Sequence, residues 1–123
     1  MRFLSMIRLD ETTGQAPSEQ LMTEMGKLIE EWTKAGVLVR TAGLKPTSEG
    51  VRVRSRHGKL STTDGPFTES KEVIGGFAIL EAKSKEEAVE LTKRFLEIHG
   101  DVWNLECEVR PLDGPEFGAE AGR

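Results

Sequence analysis

The sequence predicts an α+β domain in which two helices cover one face of an antiparallel sheet. Three observations carry this reading. Two segments, opening at Ser18 and Ser84, repeat their apolar residues at helical spacing, while the segments around them alternate at period two or run apolar only briefly. The strand-like segments fall before, between and after the helical ones rather than in one block. At 123 residues with a single cysteine, the chain is long enough for one domain that buries its own core without disulfides or metal staples.

Residues 2–9 read as a strand with Leu4 and Met6 on one side and Phe3, Ile7 and Leu9 on the other, which makes it two-faced and central. Residues 10–17 are loop. Ser18 then caps a helix whose Leu21, Met25, Leu28, Ile29 and Trp32 share a face, and Gly36 ends it. Residues 37–44 form the next strand and 45–50 a loop. Residues 51–56, Val-Arg-Val-Arg-Ser-Arg, alternate at period two, and His57-Gly58 turns the chain back through 59–62 as a hairpin. Residues 73–81 look the most buried of the strands. Gly75 and Gly76 would weaken that strand unless something approaches closely there, for which a second helix or a ligand is the expected neighbour. Ser84 with Glu87 three residues on makes a capping box and opens a helix that turns Ala88, Leu91, Phe95 and Leu96 or Ile98 inward and stops at Gly100. Residues 105–110 alternate as a final strand, so the domain is expected over 1–112 with a mobile tail at 113–123.

With the hairpin set aside, the order is βαββαβ, the ferredoxin-like split arrangement. Its second sheet face has no helix to cover it. Because Ile7, Phe77, Ile79 and their neighbours put apolar side chains on both faces, a second copy is expected to bury the uncovered one, giving a homodimer.

Composition excludes several classes of function. A formal charge of -4, from 17 basic and 21 acidic residues, speaks against a nucleic-acid partner. No Cys/His cluster has zinc spacing, so no metal is expected, and the chemistry considered is cofactor-free. The N-terminal residues are too few and too charged for a signal peptide, and no apolar run approaches membrane-spanning length, so a cytoplasmic protein without membrane contact is expected.

The candidate site is the stretch 62–72, Thr-Thr-Asp-Gly-Pro-Phe-Thr-Glu-Ser-Lys-Glu. Asp-Gly-Pro is turn chemistry with a defined shape, so it can hold side chains in fixed positions. Asp64 reads either as a general base, if burial and a cation tune it, or as a turn-former whose oxygen accepts backbone N–H bonds. Phe67 would wall a pocket, while Glu69 and Lys71 would orient a substrate carboxylate and its proton or simply face solvent. Arg52, Arg54 and Arg56 share a strand face that could grip an anion, with Arg54 or Lys71 as the holder, or could serve to discourage edge-to-edge aggregation. His99, at a helix end, is the better acid–base candidate of the two histidines, with Trp103 near enough in sequence to wall a pocket. Cys107 reads as an inert core thiol, and Trp32 and Phe95 as helix core.

The residues Thr63-Asp64-Gly65-Pro66-Phe67, then Glu69, Lys71-Glu72 and Gly75-Gly76-Phe77, resemble the signature of the DGPF-type, YciI-like (YCII-related) family. Ala35-Gly36-Val37-Leu38, Gly43-Leu44, Val51-Arg52-Val53, Glu86-Glu87-Ala88 and Glu108-Val109-Arg110 extend the resemblance to about Leu112. It implies a dimeric α/β-barrel on the ferredoxin-like fold. It also implies enzymatic roles, from a His-Asp pair and from relatives acting on aromatic breakdown products, and an association with sigma-factor regulation. Met25 stands where the YciI branch has its His, about Phe95 where it has its Asp, and Ala42 where DGPF-type relatives carry an acidic residue. Two expectations follow. One is a small-molecule-binding protein or cofactor-free enzyme acting by proton transfer or elimination on a small, aromatic or anionic acid. The other is a non-catalytic dimeric module that contacts a protein such as a transcription regulator.

Overall fold

The computed structural model describes residues 1–13, 16–100 and 103–114. All but Asp113 and Gly114 of the expected tail lie outside the described residues. In chain order the elements are β1 (Arg2–Leu9), α1 (Glu19–Lys34), β2 (Leu38–Gly43), β3 (Val51–Arg56), β4 (Lys59–Asp64), β5 (Val73–Glu81), α2 (Lys85–His99) and β6 (Glu106–Pro111). Single 3-10 turns occupy Glu11–Thr13 and Thr47–Glu49. An antiparallel sheet runs in the order β2-β5-β1-β6, while β3 and β4 pair with each other as a separate ribbon. This is the expected ferredoxin-like order with an inserted hairpin.

The helix ends are set locally. Ser18 Oγ accepts the Leu21 N–H at 3.0 Å, and Ser84 Oγ accepts the Glu87 N–H at 3.1 Å. The Glu87 carboxylate reaches back to the Lys83 amide at 3.1 Å. Each such cap is worth about 1 kcal/mol. At the far end of α1 the chain reverses through Gly36, at φ 76°, which lets the Val37 N–H return to the Trp32 carbonyl at 2.9 Å. The hairpin tip uses His57 and Gly58, both at positive φ, as a tight turn between strands demands.

Period-two alternation then distributes β1 between two faces. Phe3, Ser5 and Ile7 point toward the helices with Leu38, Ala78 and Leu80 from the neighbouring strands. Leu28, Trp32, Leu38 and Leu80 form one buried cluster and Phe3, Ala82 and Ala88 another. On the opposite face, the register places Leu4 and Met6 beside Ile79 and Phe77. All four are half-buried, and the ion pairs Arg2–Glu81, Arg8–Glu108 and Arg110–Glu108 rim them.

The glycine pair in β5 meets other strands, not the helix or ligand expected from the sequence. Gly75 is the extra residue between the pairs Ile7–Gly76 and Arg8–Ile74, and a Cβ there would lie 2.5 Å from Leu9 Cδ2. At Gly76 a Cβ would sit 3.0 Å from the Ala42 carbonyl oxygen of β2. No helix among the described residues is long and apolar enough to cross a membrane.

Candidate functional site

The ribbon β3–β4 runs into the loop 65–72, and the loop is fastened to the body by its backbone. The Gly65 N–H donates to the Gly50 carbonyl at 3.0 Å, and the Gly65–Pro66 peptide is cis. A Cβ on Gly65 would stand 1.7 Å from the Thr47 carbonyl oxygen, so no larger residue fits without moving one of the two backbones. The Phe67 N–H donates to Thr47 Oγ1 at 3.2 Å. Thr47 in turn donates its own N–H to a Glu11 carboxylate oxygen at 2.9 Å and its hydroxyl to the other. Glu11, just past the end of β1, therefore clasps the turn at 47–49, and that turn holds the loop.

Arg52 locks the loop from the ribbon side. Its guanidinium lies 3.8 Å from the centre of the Phe67 ring, donates to Ser70 Oγ at 3.0 Å and pairs with Glu69. The hydrogen bond from Arg52 is the main reason the Glu69 carboxyl is held below the usual glutamate range, with the charges of Arg52 and Arg54 adding to it.

Beside this loop opens a cleft of about 550 Å³. Leu44, Pro46, Val51, Phe67, Val73 and Ile74 supply apolar walls, and Lys45, Glu49, Arg52 and Glu72 the charges. Leu44 and Ile74 are about half exposed on a ridge between this cleft and a second one. The second, of about 400 Å³, includes Leu9, Glu11, Pro17 and Trp103. A third, of about 280 Å³, is bounded by Ser18, Gln20, Glu24, His99 and Trp103.

The residues nominated from the sequence thus fall into separate places. Phe67 lines the first of these clefts, and Glu69 sits next to it on Arg52. Arg54 is exposed on the ribbon and acts on Glu69 only through its charge. Lys71 is exposed. Asp64 closes β4 opposite Val51, is exposed, and lines none of these clefts. His99 holds its Nδ1 2.9 Å from the Phe95 carbonyl and stands edge-on to Trp103, with ring centres 6.4 Å apart. It shares a cleft with Trp103 and Glu24, not with Asp64.

Sequence reasoning missed Glu11, Thr47 and Lys45, and it favoured Arg54 over Arg52. Arg52 was within reach, because the His57-Gly58 turn sets a register that places it opposite Thr63, next to the loop. No local signal marks Glu11, whose partner Thr47 is 36 residues away.

A further cavity lies between the helices and the sheet, with room for about one water at 30 Å³. Met25 and Phe95 both line it, along with Leu28, Ile29 and Trp32. Ser5, Thr41 and Thr92 bring hydroxyls to it. Ser5 Oγ and Thr92 Oγ1 are 3.3 Å apart, and Thr92 donates to the Ala88 carbonyl at 2.9 Å. On the same sheet face, burial pushes the Cys107 thiol above its ordinary range, against a lesser, lowering hydrogen bond from Ser5. A thioether and a phenyl ring at these two positions supply no proton donor or acceptor for acid–base work.

Residues 1–104 match the YCII-related domain. A protein of Rhizobium meliloti (strain 1021), described as uncharacterized, is 30% identical over 94 residues, which span 76% of this chain and 74% of that protein.

Proposed function

The chain belongs to the YCII-related domain family, and from that premise we propose that it is a homodimeric small-molecule-binding protein. Its ligand is a small acid with an aromatic or apolar body, seated in the cleft beside the loop 65–70. The cleft itself carries the argument. Its volume falls in the range typical of small-molecule sites, and it combines apolar walls with a few charges. Lys45 is the cation available to a ligand carboxylate. It is largely exposed and only loosely paired with Glu49 at 3.8 Å, whereas Arg52 is engaged by Glu69, Ser70 and the Phe67 ring. Phe67, held by Arg52 and by Thr47, is the rigid wall.

The proposal assigns binding and no bond-breaking step. Asp64 and His99 do not share a cleft, and the helix–sheet cavity presents Met25 and Phe95. The same two observations favour the second reading, a dimeric accessory module that contacts another protein such as a transcription regulator. The dimer is supported by the half-buried row Leu4, Met6, Phe77 and Ile79 on the sheet face away from the helices.

A thermal-shift series with benzoate, phenylacetate and short aliphatic carboxylates tests the binding reading. A ligand at about a hundred times its Kd adds about 2.7 kcal/mol, roughly 10 °C in midpoint for a domain of this size. Lys45→Gln should lose most of the shift while melting like wild type without ligand. No shift with any of these acids removes the small-acid reading and leaves the accessory module. A shift abolished by Asp64→Asn, with folding unchanged, would bring Asp64 back as a participating carboxylate.

A further inference from the structure

Nine large apolar side chains among the described residues are exposed, and they are not scattered evenly. Leu44 and Ile74 on the ridge line one cleft with Val51, and Val53 and Leu60 continue the Val51 face along the ribbon. On the ribbon itself, Val53 is 69% and Leu60 76% exposed. The register puts Val51, Val53 and Leu60 on one face, with Thr62 opposite Val53. Arg52, Arg54, Arg56 and Lys59 share the other. A two-stranded ribbon is marginal in water unless a face is covered, and β3 and β4 pair with no strand of the main sheet.

Charge and area both bear on what covers it. Four cations and one carboxylate give the ribbon 51–64 a formal charge of +3, which leaves −7 on the rest of a chain whose total is −4. Arg54, Arg56 and Lys59 form no ion pair among the described residues. A basic ribbon on an acidic body is complementary to another copy of the same chain. The open face of a four-stranded sheet with strands of about six residues offers roughly 400 Å², about half of the roughly 800 Å² per partner that a stable interface buries.

We infer that the β3–β4 ribbon is an exchanged arm: each copy lays Val51, Val53 and Leu60 on the second copy and sets Arg54, Arg56 and Lys59 against its carboxylates. The inference rests on the dimeric reading above and specifies what completes that interface. The arm's root also lines the ligand cleft through Val51 and Arg52, so docking of the arm would define the outer wall of that cleft.

Sedimentation velocity over a concentration series tests the arm, with two double variants. Val53→Lys/Leu60→Glu alters the apolar face with no change in net charge, and Arg56→Glu/Lys59→Glu reverses the cationic face without touching the apolar one. Both sets of side chains are exposed, so far-UV circular dichroism should match wild type. Wild type should sediment as a dimer, and each variant should dissociate at concentrations at least about tenfold higher than wild type requires. The wild-type dimer should also weaken with added salt. A wild-type dimer that neither variant weakens overturns the exchanged arm and leaves a dimer through the sheet face. A wild-type monomer at every concentration overturns both the arm and the dimeric reading. If the first variant does not fold, the second decides.

Discussion

Gly65→Ala probes whether the loop is held by close backbone contact. The added methyl would start 1.7 Å from the Thr47 oxygen and 2.6 Å from the Thr47 carbonyl carbon, far inside contact distance, and both atoms are backbone. The loop must therefore retreat or the turn at 47–49 must yield. Retreat breaks the Gly65-to-Gly50 and Phe67-to-Thr47 hydrogen bonds, at about 1 kcal/mol each. Yielding costs the roughly 1–3 kcal/mol of an overpacked site. Either route predicts a loss of about 2 kcal/mol, or a drop of roughly 8 °C in midpoint. Gly50→Ala is the control, because its Cβ would meet Thr47 at an ordinary 3.5 Å and should cost no more than about 1 kcal/mol. Urea denaturation measures the global effect, and amide hydrogen exchange at Gly65 and Phe67 reports the loop by itself. A Gly65→Ala protein with wild-type stability and wild-type protection at both amides would refute the close-contact argument.

Other consequences can be measured directly. Phe3 is completely buried among Ala82, Ala88 and their neighbours, so Phe3→Ala should cost about 3–5 kcal/mol in urea denaturation, a large share of a small domain's stability. Arg94 and Arg52, chiefly by hydrogen bonding, hold Glu31 and Glu69 below the usual glutamate range. A carboxyl lowered by folding contributes fully above its unfolded pKa, and that contribution fades as pH falls through the folded one. The thermal midpoint should therefore fall on the acid side of the ordinary glutamate range, and Glu31→Gln/Glu69→Gln should flatten that part of the profile. Cys107, its thiol pushed up by burial, should react slowly with iodoacetamide at pH 8 and many times faster in denaturant. An equal rate in both would place it outside the core.

Much of the fold was legible because its signals are local. Ser18 and Ser84 sit three residues from the amides they cap, Gly36 and Gly100 follow the helices they stop, and His57-Gly58 turns a ribbon whose alternation is visible by eye. Met25, Leu28 and Trp32 recur at helical spacing and do face the sheet. The site was legible only in outline. The stretch 65–70 is a built loop, yet its anchoring depends on Glu11 and Thr47, and the glycines of β5 answer to Leu9 and to the backbone of β2.

Element order, helix ends, the hairpin and the two-faced character of the central strands each follow from spacings of two to four residues along the chain. Long-range packing instead puts Arg52 rather than Arg54 over Phe67, sets Asp64 and His99 in different places, and brings Met25 and Phe95 together in one cavity. Those facts join residues from about 15 to 70 positions apart. Strand order, register and helix packing set such distances, and no short-range pattern records them.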